Sequence, residues 1–164
     1  MLMFVGSILI FSSCRKDGPI GPQGPAGLDG NANVIGEYPF TVNAGSWIFT
    51  TNIAGNTGNA YVVSYNDANI TSAVANHGLV VMYIQYADGT WKSLPDIFAG
   101  TSFSFNFSAG GFDIYYTNVD GTTPSVPGTQ VFRAVVIPSS IRQIHPNTNW
   151  NNYNEAITVM HSAN

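Results

Sequence analysis

Between Gly18 and Gly30 glycine recurs at every third residue, GPI-GPQ-GPA-GLD-G, with Pro19, Pro22 and Pro25 each following a glycine. No other stretch of the chain limits its own conformation so tightly. Proline holds φ near −65° and such triplets favour polyproline II, so at about 3.1 Å per residue the segment extends roughly 37 Å without building a core. Glycine at every third place is what three chains need where they crowd around a common axis. A single-chain spacer gains nothing from that period, because glycine loosens what proline stiffens. Two readings stay open, a stalk of a homotrimer and a stiff monomeric tether. In both, the segment separates the amino terminus from a head that must carry whatever core the chain has.

Upstream, Leu2 to Phe11 (LMFVGSILIF) form an apolar run of ten residues, half of the roughly 20 needed to span a bilayer core. That length fits the h-region of a signal peptide. It ends in Ser12, Ser13 and Cys14, the single cysteine of the chain, so no internal disulfide can form. The junction resembles a bacterial lipobox. The resemblance implies a diacylglyceryl thioether on Cys14, cleavage after Ser13 and acylation of the new amino group. Each buried CH₂ contributes about 0.8 kcal/mol of membrane affinity, so two or three acyl chains anchor essentially permanently. Arg15-Lys16-Asp17 follow, with no Asp directly after the cysteine. The resulting division is a signal peptide over 1–13, a lipidated terminus over 14–17, a collagen-like stalk over 18–30 and a folded domain over 31–164.

In that domain, short aromatic and β-branched runs are punctuated by Gly, Asn, Asp, Ser and Pro, the texture of an all-β chain. Charged residues make up 9 % of the sequence and aromatic residues 13 %; typical soluble domains are roughly a quarter charged. Strands are expected near residues 34–42, 46–51, 60–65, 79–86, 90–94, 102–107, 112–119 and 131–137. About eight strands predict an antiparallel β-sandwich, jelly-roll-like. Phe103, Phe105 and Phe107 alternate with Ser104 and Asn106, which turns three rings to the core. Leu79 to Ile84 is nearly continuously apolar, as a central strand covered on both sides should be. Asp88-Gly89 and Ala109-Gly110-Gly111 supply hairpin turns. Two helical turns follow Asn69 as N-cap. A short C-terminal helix runs from Tyr153 to about His161, with Asn152 as N-cap, Glu155 in the capping box and Trp150 stapling its entry.

The order of SSC, Gly-Pro triplets, Asn31-Ala-Asn-Val-Ile35, Asn76-His-Gly-Leu-Val-Val-Met-Tyr83, Thr90-Trp-Lys-Ser-Leu-Pro95, Gln130-Val-Phe-Arg-Ala-Val-Val-Ile-Pro138 and a closing helix resembles the small collagen-like surface lipoproteins of Bacteroidota. The resemblance spans essentially the whole chain. It implies a lipid-anchored protein of the outer membrane, facing outward, and carries over no site except Cys14. That family brings no established activity with it.

The chain offers little material for catalysis. His77, His145 and His161 share no metal-ligand spacing. Asp67, Asp88, Asp96, Asp113 and Asp120 include several turn residues, but no D-x-D-x-D-G spacing for calcium. No G-x-S-x-G elbow marks a nucleophile. No catalytic residue, metal ligand or cofactor is therefore expected. With Lys plus Arg at 5, Asp plus Glu at 9 and a net charge of −4, no basic stripe exists to bind nucleic acid. The remaining candidates are aromatics able to stack on a ligand: Trp150 and one of Tyr115 and Tyr116, since alternation turns one of the pair inward and the other out. Trp91, ahead of Leu94-Pro95, reads most simply as core. The expected role is structural or adhesive, with the membrane, a surface glycan or an outer-membrane protein as partner; the alternative is a carbohydrate-binding accessory module of an outer-membrane uptake system.

Overall fold

A computed structural model describes residues 35–162. Cys14, the leader and the glycine triplets lie outside the described residues. Nine strands are found among those described: β1 (Ile35–Val42), β2 (Ile48–Ile53), β3 (Asn56–Asn66), β4 (Leu79–Gln85), β5 (Trp91–Ser93), β6 (Asp96–Phe98), β7 (Thr101–Ser108), β8 (Gly111–Asn118) and β9 (Gln130–Ile137). Among them stand a 3-10 turn (Ala44–Ser46) after β1 and α1 (Ser72–His77) before β4, and α2 (Ser139–Ile144) and α3 (Tyr153–Ser162) follow β9. The strands form two antiparallel sheets, β1-β9-β4-β5 and β2-β3-β8-β7-β6. The expected β-sandwich is therefore present, with β1 and β9, first and last in the chain, paired side by side.

The strand alternation explains how the layers meet. On β4 and β9, Val80, Met82, Ile84, Phe132, Ala134 and Val136 face the other sheet, where Val63, Phe112 and Ile114 meet them. Phe103, Phe105 and Phe107 pack against this core as the sequence predicts. The intervening residues Val81, Tyr83, Val135 and Ile137 form a second apolar layer with Ile141 of α2 and Ala156 of α3. The four-stranded sheet is thus covered on both faces, which is why Leu79 to Ile84 lacks a polar alternate. No helix among the described residues is long and apolar enough to cross a membrane.

Turn chemistry accounts for what the sequence conceals. Gly89 (φ +83°) and Gly110 (φ +97°) occupy the two expected hairpin turns. At Gly111 a β-carbon would lie 2.1 Å from the Tyr65 carbonyl oxygen, so only glycine permits β8 to start there. Two further hairpins turn on Ala54-Gly55 (φ +49° and +88°) and Ala99-Gly100 (φ +49° and +81°). Both central residues have positive φ, the requirement of a type I′ turn, which Asn-Gly and Asp-Gly meet far more often than Ala-Gly. β6 and the early start of β3 at Asn56 follow from these turns and were absent from the expected strands. The α1 cap also differs. Thr71 Oγ1 accepts from the Val74 N–H at 3.2 Å, while Asn69 N–H is already donated to Asp67 Oδ1 at 2.9 Å in a preceding Asx turn. Asn152 caps α3 as expected, accepting from the N–H groups of Asn154 and Glu155. Glu155 does not close the capping box; its carboxylate accepts instead from Asn149 N–H at 3.1 Å.

Candidate functional site

The outer face of the four-stranded sheet holds the densest aromatic and cationic cluster outside the main core. Tyr83 of β4 and Arg133 of β9 are cross-strand partners, and Trp91 of β5 is opposite Gln85 of β4, so strand alternation puts all three on this face. Tyr153, the first residue of α3, closes over them. Its ring stacks on Trp91 with centroids 5.6 Å apart and an interplanar angle of 25°, and meets Tyr83 edge-on at 5.2 Å. The Arg133 guanidinium lies 4.6 Å from the Trp91 centroid and 5.1 Å from that of Tyr153, and donates to the Tyr153 hydroxyl. A cation in contact with two aromatic rings gains from both quadrupoles.

The segment before α3 is fastened to the same cluster. Tyr83 donates its hydroxyl proton to the Trp150 carbonyl at 2.6 Å. Burial, and next the neighbouring Tyr153, push the Tyr83 phenol well above its ordinary pKa, so it stays a donor. Trp150 itself packs on the second apolar layer, to which α3 contributes Ala156. Between this segment and β5 runs an open cleft of about 780 Å³, lined by Trp91 and Tyr153 and rimmed by Thr90, Lys92, Ser93, Asp96 and the side chains of Asn149, Asn151, Asn152 and Asn154.

The tyrosine pair named from sequence falls elsewhere. Tyr115 and Tyr116 do point to opposite faces of β8, but neither is an open platform. Tyr116 packs into the inter-sheet core with its ring 4.7 Å from Phe103. Tyr115, only 7 % exposed, lies on the outward face in a polar row in which its hydroxyl approaches Asp113 and Asn106, each at 3.4 Å, and Ser64 donates to Asp113 at 2.5 Å. That row ties β3, β8 and β7 together. Trp47 is core, against Phe103 and Phe132. Trp91, read as core, is half-buried and serves two purposes, packing on the second layer and lining the cleft. The signal that could have found the cleft is the run Asn147 to Asn154, with five asparagines in eight residues running into the first turn of α3.

At the end of the sandwich, Tyr86 donates to Asp96. Desolvation first, then this hydrogen bond and the Asp96 charge, push the Tyr86 phenol up to about 12. The turn aspartates are engaged locally: Asp88 and Asp120 each accept from the N–H and hydroxyl of the threonine two residues on, and these bonds hold both carboxyls below their ordinary pKa. Among the described residues no group of three or more His, Cys, Asp and Glu is arranged to hold a metal ion. No protein-family model matches the sequence, and neither a curated protein nor a solved structure does.

Proposed function

We propose that this chain is a lipid-anchored surface protein with a structural or adhesive role: a jelly-roll-like sandwich head held away from the outer membrane by a collagen-like stalk, anchored through Cys14. The observation that carries this reading is the succession of an apolar run ending in Ser-Ser-Cys, four glycine triplets and an all-β head with a solvent-open cleft. A short apolar run cannot span the bilayer, whereas acyl chains on Cys14 can hold the protein to it. Extended triplets then lift the head clear of the lipid. Three anchored chains in one membrane plane raise their local concentration, which favours a trimeric stalk even where four triplets alone would not associate.

The anchoring reading is tested by Cys14→Ala, which should move the protein from the membrane fraction to the soluble one. An unchanged mass and continued membrane association would overturn it. The stalk is tested by light scattering of the purified chain and of Gly24→Ala: a trimer that dissociates on this substitution supports three-chain packing, and a monomer in both reduces the segment to a tether. The second reading, a carbohydrate-binding accessory module of an uptake system, is favoured by the composition of the cleft, where amides and hydroxyls surround a stacked aromatic pair.

A further inference from the structure

Resting on the adhesive reading, we propose that the cleft between β5 and the 149–154 segment binds a neutral oligosaccharide, with one sugar ring stacked on Trp91. The geometry of the aromatic cluster is the first reason. The centres of Trp91, Tyr153 and the Arg133 guanidinium form a triangle with sides of 5.6, 4.6 and 5.1 Å. Seen from Trp91, the other two centres are therefore only about 60° apart, so they crowd one side of the indole. Trp91 is half-buried and lines the cleft, so part of its ring is presented to the ligand space. An indole face is a flat, apolar and electron-rich surface that suits the C–H bonds of a pyranose ring.

The polar rim is the second reason. Asn149 Oδ1 accepts from the Asn151 N–H and Asn152 Oδ1 from the N–H groups at the start of α3. With the carbonyl half of each amide so fixed, the NH₂ groups of Asn149 and Asn152 are oriented donors. Asn151 and Asn154 are exposed on the same rim, and Thr90 and Ser93 add hydroxyls from the β5 side. Amides and hydroxyls that donate and accept in turn are the complement of a polyhydroxyl chain. The rim carries one Lys and one Asp, Lys92 and Asp96, so no net charge selects an anionic or cationic ligand. The volume, about 780 Å³, is within the range of sites that hold a small oligomer, and the cleft's open form admits an internal segment of a longer chain.

The third reason is rigidity. The 149–154 segment is tied to β4 by Tyr83 and to α3 by Glu155 and Asn152, so the asparagines are held in place before ligand arrives, which limits the entropy lost on binding.

The test is titration of the purified full chain with cellohexaose, xylohexaose, mannohexaose and maltohexaose, followed by calorimetry and tryptophan fluorescence. At least one should bind in the micromolar to millimolar range and shift the emission. Trp91→Ala should weaken that binding by about tenfold or more. Because Trp91 also supports Arg133, the Asn151→Ala, Asn154→Ala pair provides the second arm: several-fold weaker binding with an unchanged melting temperature. Failure of all four oligosaccharides at millimolar concentration overturns the proposal, as does binding that neither variant weakens. Binding of a neutral Gly-Ser peptide in place of the sugars overturns it too and reassigns the cleft to extended polypeptide. None of these failures alters the fractionation of Cys14→Ala, which judges the anchoring reading by itself.

Discussion

The two faces of the four-stranded sheet share the same strands and differ in almost everything else. Toward the second sheet, β4 and β9 present Val80, Met82, Ile84, Phe132, Ala134 and Val136, with no polar partner to satisfy. Toward the helices they present Val81, Val135 and Ile137 at one end, but Tyr83 and Arg133 at the other, where Trp91 and Tyr153 complete the layer. The first face is sealed by another sheet. The second is sealed only where α2 and α3 lie across it, and opens beside β5 into the asparagine-rimmed cleft. A sheet covered on both sides can use one layer for cohesion and leave part of the other polar and accessible, as a binding site requires.

The largest effect is therefore expected from the sealed face. Phe132 is fully buried and meets the rings of Phe40, Trp47 and Phe103 at 6.0, 6.3 and 5.6 Å. Phe132→Ala should cost about 3–5 kcal/mol, read by denaturant unfolding. On the other face, Tyr83→Phe keeps the ring and removes only the bond to the Trp150 carbonyl. It should cost about 1 kcal/mol and raise hydrogen exchange in the 149–154 segment. Equal losses for the two substitutions would break the distinction between the faces.

How much of this was readable in the sequence follows from the same contrast. The sealed interior was legible, because strict alternation in Phe103-Ser-Phe-Asn-Phe107 marks one inward side of β7 and the unbroken run Leu79 to Ile84 marks a strand covered on both. The cleft was not, for it depends on which residues of distant segments become neighbours. Trp91 and Tyr153 are 62 positions apart, and nothing local distinguishes a tryptophan that lines a cleft from one sealed in a core. Tyr115 shows the converse: alternation put it and Tyr116 on opposite faces, but gave neither which of the two points outward nor the burial of Tyr115 beside Asp113 and Asn106. α2, too short to show a clear apolar period, and the Ala-Gly hairpins escaped for a local reason, since their residues carry weak turn or helix signals.

A smaller effect is expected from alkaline pH, and it probes both the open layer and the end of the sandwich. The phenols of Tyr83 and Tyr86 are held above their ordinary value, each chiefly by desolvation. A group whose folded pKa exceeds its unfolded one stabilises the fold fully below the unfolded value and loses that contribution as pH rises through the folded one. For Tyr86 the window runs from about 10 to about 12. Melting temperature should fall across that window, and Tyr86→Phe should flatten part of the decline. A profile unchanged by Tyr86→Phe would remove its bond to Asp96 from the forces that hold β6 to the end of β4.

The smallest expected effect is that of calcium. Loop aspartates in a β-sandwich invite the idea of a structural cation, and three of the five aspartates in this head, Asp67, Asp88 and Asp120, stand in loops. A calcium ion requires 6 to 8 oxygens converging on one point. Here Asp67, Asp88 and Asp120 direct a carboxylate oxygen at the residue two positions on, which fixes each turn without an ion. Asp113 accepts from Ser64 on the neighbouring strand β3, and Asp96 of β6 from Tyr86, just past β4 of the other sheet. The five carboxylates are thus engaged singly, in separate turns and strand pairs, and the sealed layer supplies the cohesion that a cation would otherwise provide. Adding calcium, or removing it with EDTA, should leave the melting temperature of the purified chain unchanged. A fall of many degrees with EDTA would mean that the turns gather oxygens around an ion, and that the apolar core does not hold the two sheets together by itself.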